Sequence, residues 1–302
     1  MQRKDSMDAL GASAMIVFAT ILAVNQVVVK LTNTGLSPVF SAGLRSALSL
    51  GVVLIWVLLR GKRLGPMRAA LWPGLALGAC FSTEFLFLFT ALDLTTVSRA
   101  SIMFYSMPVW LTLAAHFLLP GERLNRRKGL GLILAMGGVV LALADPGAQG
   151  QGDLRGDLFA LFGAVGWAAI ALIVRLTRAK DLTAEGQLVW QLGVSAIVLL
   201  CVAPLFGPVI REFQPYHAAL MAYQVILVAS FGFLFWFYWM MIYPASDIAS
   251  FSFLSPVLSV AMGWLLLGEH IGVDTLIALG LVAAGITLIN RRPKRQVPQK
   301  VA

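Results

Sequence analysis

Ala91–Leu124 reads ALDLTTVSRASIMFYSMPVWLTLAAHFLLPGERL, and Met241–Ile271 reads MIYPASDIASFSFLSPVLSVAMGWLLLGEHI. The second stretch follows the plan of the first. Ser98 answers to Ser246, Pro108-Val109 to Pro256-Val257, and Gly121-Glu122 to Gly268-Glu269. Each copy passes from a small polar start, through an apolar run interrupted by proline, to a Gly-Glu exit. The copies lie about half of the 302-residue chain apart, so they mark one duplication and not a solenoid.

Composition decides the solvent. The chain is 59% hydrophobic and 12% charged, with a mean hydropathy of +0.85. Soluble domains carry about 25% charged residues. Folded in water, this chain would expose far too much apolar surface, so it reads as a polytopic membrane protein. The net charge of +9 does not point to nucleic acid, because the basic residues sit in short segments between apolar runs. Cys80 and Cys201 lie inside apolar segments and read as small buried hydrophobes. The apolar run from Ala9 to Val29 is too long for a cleaved leader and reads as a retained first span.

Ten apolar stretches are long enough to cross a bilayer as helices: 9–31, 37–59, 68–91, 95–118, 127–144, 155–176, 184–206, 216–241, 246–267 and 272–290. Turn residues such as Asn33-Thr34-Gly35, Gly61-Lys62-Arg63 and Phe206-Gly207-Pro208 separate them. Asp145–Asp153, rich in Gly and Gln, falls at the midpoint. It divides the chain into two expected repeats of five helices, 1–147 and 148–302. With the N-terminus in the cytoplasm, most of the 23 Lys and Arg residues fall in cytoplasmic segments, and both termini lie inside. An odd number of spans per half then turns the second repeat upside down relative to the first, the arrangement of secondary transporters.

With their Ala-Ser…Pro-Val helices and Gly-Glu exits, the two halves resemble the drug/metabolite transporter superfamily, in its EamA-type exporter branch. The resemblance covers the whole chain. It implies an all-α integral membrane bundle of ten helices. Spans 1, 3, 4, 6, 8 and 9 would build a central cavity, with spans 5 and 10 at the side. It also implies a solute from a range that includes amino acids, other metabolites, drugs and nucleotide sugars. Exporters of aromatic amino acids form one branch. Pro120-Gly121-Glu122 departs from the Leu-Gly-Glu that the family favours.

Several residues could carry the chemistry of transport. Pro108 and Pro256 sit near the middle of their spans, where proline removes a backbone hydrogen bond and frees a carbonyl at membrane depth. They read as paired hinges, or else as static packing kinks. Glu84 and Arg45 lie at similar depth, roughly 10 and 12 Å from the same end at 1.5 Å per residue. Ionisable groups inside a membrane are costly and face the interior, paired or along a path. Glu84 is thus a candidate for proton coupling or for anchoring a substrate amine, and Arg45 or Arg99 for attracting a carboxylate. The structural alternative is a Glu84–Arg45 ion pair. Asn25 and Gln26 are the amides of the first span. Tyr105 shares a helical face with Ser101, Pro108 and Thr112, and Ser252, Ser255 and Ser259 form a comparable face on the ninth span. Trp167 lies beside Gly163 and Gly166. With Phe85, these residues outline a mixed aromatic and hydroxyl pocket suited to a small amphipathic solute. Interhelical packing is the plainer reading of each.

The expectation is a secondary transporter in the plasma or inner membrane. It would export a small organic solute, an amino acid or related metabolite with an aromatic side chain among the candidates, by alternating access. A nucleotide-sugar or drug carrier of the same superfamily is one alternative and a channel another. No cofactor, no metal, no nucleic acid and no catalysis are expected. The partners are the solute and the lipid bilayer. The small-residue runs Gly74–Gly78 and Gly280–Ala284 read first as packing motifs and second as a homodimer contact.

Overall fold

The computed structural model describes residues 7–119, 124–144, 152–243, 251 and 253–290, without the side chains of Phe237, Met240 and Met241. These residues are helical almost throughout, and an isolated antiparallel bridge joins Leu36 to Ile210. The first three spans are single helices, α1 (Ala9–Gly35), α2 (Pro38–Leu59) and α3 (Leu71–Leu94). The fourth is split into α4 (Val97–Phe104) and α5 (Met107–Leu118). Next come α6 (Arg126–Ala144), α7 (Leu154–Leu176) and α8 (Ala184–Val202). The eighth span is α9 (Pro215–Tyr223), a π-helical segment (Gln224–Ser230) and α10 (Phe231–Ile242). α11 (Leu254–Leu267) and α12 (Val273–Asn290) are the last of the described elements. Nine helical stretches among the described residues are long and apolar enough to cross a membrane, and α11 is a shorter apolar helix.

Local chemistry places the helix starts. Asp8 accepts from the Gly11 amide, Thr96 from Arg99, Asp153 from Arg155 and Thr183 from Gly186, each using a donor that a helix N-terminus leaves without a partner. Pro38 opens α2 in its first turn. Gly268 closes α11 in the left-handed region at φ 65°, a conformation that costs glycine little.

Small residues let particular helices meet backbone to backbone. A Cβ on Gly131 of α6 would stand 2.8 Å from the Gly285 carbonyl oxygen of α12, and one on Gly138 would stand 2.6 Å from that of Ala278. Gly74 and Gly78 of α3 sit against Trp190 and Val194 of α8. The run Gly74–Gly78 is therefore used inside the molecule; in the run Gly280–Ala284, Gly280 faces outward with nothing against it, and the close contact is made by the following Gly285.

Polar ties gather at one end of the bundle. Lys30 donates to the carbonyls of Leu92 (3.0 Å) and Thr95 (2.7 Å), which the end of α3 leaves without helical donors. Asn33 donates to Phe89 O, and Gln224 to Thr32 Oγ1. Arg211, in the loop before α9, holds Asp93 through both terminal nitrogens at 2.8 and 3.0 Å. That bidentate hydrogen bond raises the guanidinium above its ordinary value. His217 is fully buried against Gly35 and lies 2.9 Å from Thr34 Oγ1.

Candidate solute site

The break between α4 and α5 is built by serine as much as by proline. Ser106 Oγ donates to the Met103 carbonyl at 2.6 Å and accepts from Trp110 Nε1 at 3.1 Å. Ser106 N also donates to Met103, and Val109 N to Ser106 O, in place of regular helical bonds. Pro108 lies in the first turn of α5. There its missing N–H costs no intrahelical bond. Pro256 likewise lies in the first turn of α11. Neither proline bends a continuous helix, which corrects the reading of both as mid-helix kinks. Ser252, expected on the same face as Ser255, lies outside the described residues.

Tyr105 stands at the break, 6% exposed. Its hydroxyl faces Gln26 of α1, with Nε2 at 3.5 Å, and Ser255 and Ser259 of α11. Ser259 Oγ makes no hydrogen bond of good geometry. Trp167 of α7 closes another side. Its ring stacks on Phe104 at 5.1 Å and meets Tyr105 edge-on at 6.2 Å. Four spans far apart in sequence thus converge on one tyrosine. Asn25, next to Gln26, is buried with its Oδ1 unpartnered.

A second cluster forms around Glu84, whose backbone meets α7 at Gly163, the glycine that also touches the Phe104 ring. Gly163 and Gly166 let the backbone of Glu84 approach α7: a Cβ on Gly166 would stand 3.3 Å from Glu84 Cα. Glu84 is 4% exposed, and its Oε2 has no partner. Arg45 is buried, yet no ion pair joins it to Glu84. Its guanidinium lies over the rings of Phe85 (4.0 Å) and Phe89 (5.0 Å). Such desolvated cation–π contacts contribute about 2 kcal/mol, and here they take the place of the expected salt bridge. Phe85 in turn packs on Phe81 at 4.5 Å.

Arg99 serves neither cluster. Its Nε lies 3.2 and 3.1 Å from the two oxygens of Asp157, and its Nη2 reaches Asp157 and the Ala142 carbonyl. Thr95 Oγ1 donates to the same carboxylate at 2.9 Å. The pair is buried and joins α4, α6 and α7, so the reading of Arg99 as a substrate anchor is corrected. Nearby, Glu269 accepts from Val97 N (2.6 Å), Ser98 N (3.0 Å) and Ser98 Oγ (2.7 Å), capping α4 from the far end of the sequence. Sequence reasoning used Glu269 only as a repeat marker. The recurrence of a Gly-Glu pair and of an upstream serine in both copies was the available signal that these positions matter.

Comparison with known proteins decides the family. The model of the EamA-like transporter family matches residues 9–144 and, separately, 154–291. The chain belongs to this family. It is a multi-pass membrane transporter of the drug/metabolite superfamily. It is 30% identical over 264 residues to an uncharacterized protein of Pseudomonas aeruginosa, covering 86% of each chain. It is 27% identical over 190 residues to the uncharacterized transporter YoaV of Bacillus subtilis, covering 62% of this chain and 64% of YoaV. With YvbV of the same organism, another uncharacterized transporter, identity is 26% over 265 residues, covering 86% of this chain and 84% of YvbV. A solved crystal structure shares the fold at a TM-score of 0.65 and 22% identity, covering 92% of this chain and 96% of that one.

Proposed function

We propose that this EamA-family transporter is a secondary carrier that exports a small organic solute, an amino acid or related metabolite, by alternating access. The solute sits at the break between α4 and α5. Tyr105 and Gln26 grip its polar part, Ser255 lies on the same side, and Trp167 with Phe104 offers an aromatic wall. Two inverted repeats, 1–147 and 148–302, rock about this point, with both termini in the cytoplasm. The separate family matches to 9–144 and 154–291 support the division into repeats. In transporters built this way the substrate site lies on interrupted helices near the midplane.

The observation that carries the reading is Tyr105. It is buried on a broken segment, and residues of three other spans face it. Proteoliposomes loaded with radiolabelled amino acids test it. Tyr105→Ala raises KM for efflux about tenfold or more, a loss of roughly 1.4 kcal/mol or greater, while Tyr105→Phe, which keeps the ring, loses less. Efflux by Tyr105→Ala with unchanged KM would place the solute elsewhere.

A further inference from the structure

Arg45 belongs to a polar stripe on α2. Ser37, Ser41, Arg45 and Ser49 recur every four residues, the spacing that keeps side chains on one helix face. All four are buried, at 2%, 0%, 1% and 0% exposure. The hydroxyls of Ser37, Ser41 and Ser49 have no hydrogen-bond partner, and neither do Nε and Nη2 of Arg45. Ser37 lies beside Val209, at the end of the bundle where Lys30 is bonded. At 1.5 Å per residue the stripe leads from that end about 12 Å inward to Arg45. Buried donors left unmade are costly, most of all on a charged group.

Arg99 shows what this pair of nitrogens does when an acceptor is at hand. Its Nε and Nη2 are the fork that receives the Asp157 carboxylate. On Arg45 the same two nitrogens are the unpartnered ones. Phe85 covers a face of its guanidinium, so an acceptor meets it at the edge, where the fork points. The carboxylate of Glu84 makes no ion pair with it, although Glu84 adjoins Phe85 in sequence. The fork matches a carboxylate, and one unneutralised guanidinium suits a monoanion. A phosphate ester would call for further cations, and Arg99 is already paired while Lys30 is bonded to carbonyls.

We infer that Arg45 receives the carboxylate of the transported solute, which makes α2 part of the site and restricts the solute to carboxylate-bearing molecules. Ser41 and Ser49 lie one turn to either side of the guanidinium and offer further donors to the same group. The inference rests on the transport reading above and names the chemical class for it.

The probes are sodium phenylacetate, L-phenylalanine and L-leucine, each beside its amide, and sodium chloride. Thermal unfolding of the purified protein is measured with each. The expected result is a concentration-dependent rise in Tm with the carboxylates and none with the amides or chloride. Arg45→Lys keeps the charge and loses the fork, so half-saturation moves about tenfold higher. Arg45→Met abolishes the response; if that variant does not fold, Arg45→Lys carries the test alone. Equal shifts with acid and amide, a response to chloride of the same size, an unchanged half-saturation in Arg45→Lys, or no shift with any carboxylate would each overturn the assignment. Proteoliposome efflux of the amides separates the two claims, since amides exported at the rate of the acids would sink the carboxylate subsite and leave the transport reading standing.

Discussion

Asp157 is 0% exposed and receives donors from Arg99 and Thr95, while Arg99 also holds a carbonyl of α6. Removing one partner of a buried pair leaves the other charged and unsolvated, which costs about 3–5 kcal/mol. Asp157→Ala and Arg99→Met should therefore each lower Tm markedly. The double variant Arg99→Met/Asp157→Ala should lose much less than the sum of the two, and additive losses in this double-mutant cycle would show the pair to be uncoupled. Glu269 acts at the same corner with a different outcome expected. It caps α4 through two amides and a hydroxyl, so Glu269→Gln keeps an acceptor and loses the charge that favours a helix N-terminus. That change should cost about 1 kcal/mol, and Glu269→Ala clearly more, as read in thermal melts. Much of this corner was out of sight in the sequence. Asp157 falls near the start of the expected span 155–176 and Lys30 near the end of 9–31, with nothing in either run to name a partner. What each carboxylate binds depends on helices far apart in the chain, and apolar periodicity does not say which helices are neighbours.

The elements themselves were easier to read. Long apolar runs punctuated by Gly, Pro and Asn mark where spans begin and end, and the described helices match those expectations to within a few residues except for the ninth span, expected over 246–267, where α11 starts at Leu254 and residues 246–250 and 252 lie outside the described ones. The fourth span is where local chemistry was misjudged. Proline was credited with a kink that Ser106 and Trp110 in fact stitch together, because a serine bonding back to a carbonyl leaves no pattern in hydropathy. The expectation for variants changes accordingly. Pro108→Ala adds an N–H in a first helical turn, where no intrahelical acceptor exists, so stability should change by no more than about 1 kcal/mol. Ser106→Ala removes the hydroxyl that bonds Met103 and leaves Trp110 Nε1 unpartnered, and should destabilise by about 1–3 kcal/mol. The reverse order, with Pro108→Ala the more disturbed, would return the break to proline. The candidate residues divide in the same way. Gln26, Tyr105, Trp167 and Ser255 come together, whereas Phe85 packs against Arg45.

Across the whole molecule, buried polar groups gather around Tyr105 and around Arg45, and ties made by Lys30, Asp93, Asp157, Arg211 and Glu269 gather at one end. A carrier needs a midplane site that opens to each side in turn, and ties grouped at one end are suited to being made and broken as a set. Alternating access at the Tyr105 cluster is the claim on which the rest depends. The direct measurement is labelling of a single cysteine placed at Ser255, in a background with Cys80 and Cys201 replaced, by a membrane-impermeant thiol reagent. It is carried out on right-side-out and on inside-out vesicles. The account predicts labelling from both sides, slowed from both by the exported solute. Labelling from one side alone, or from neither, would contradict it.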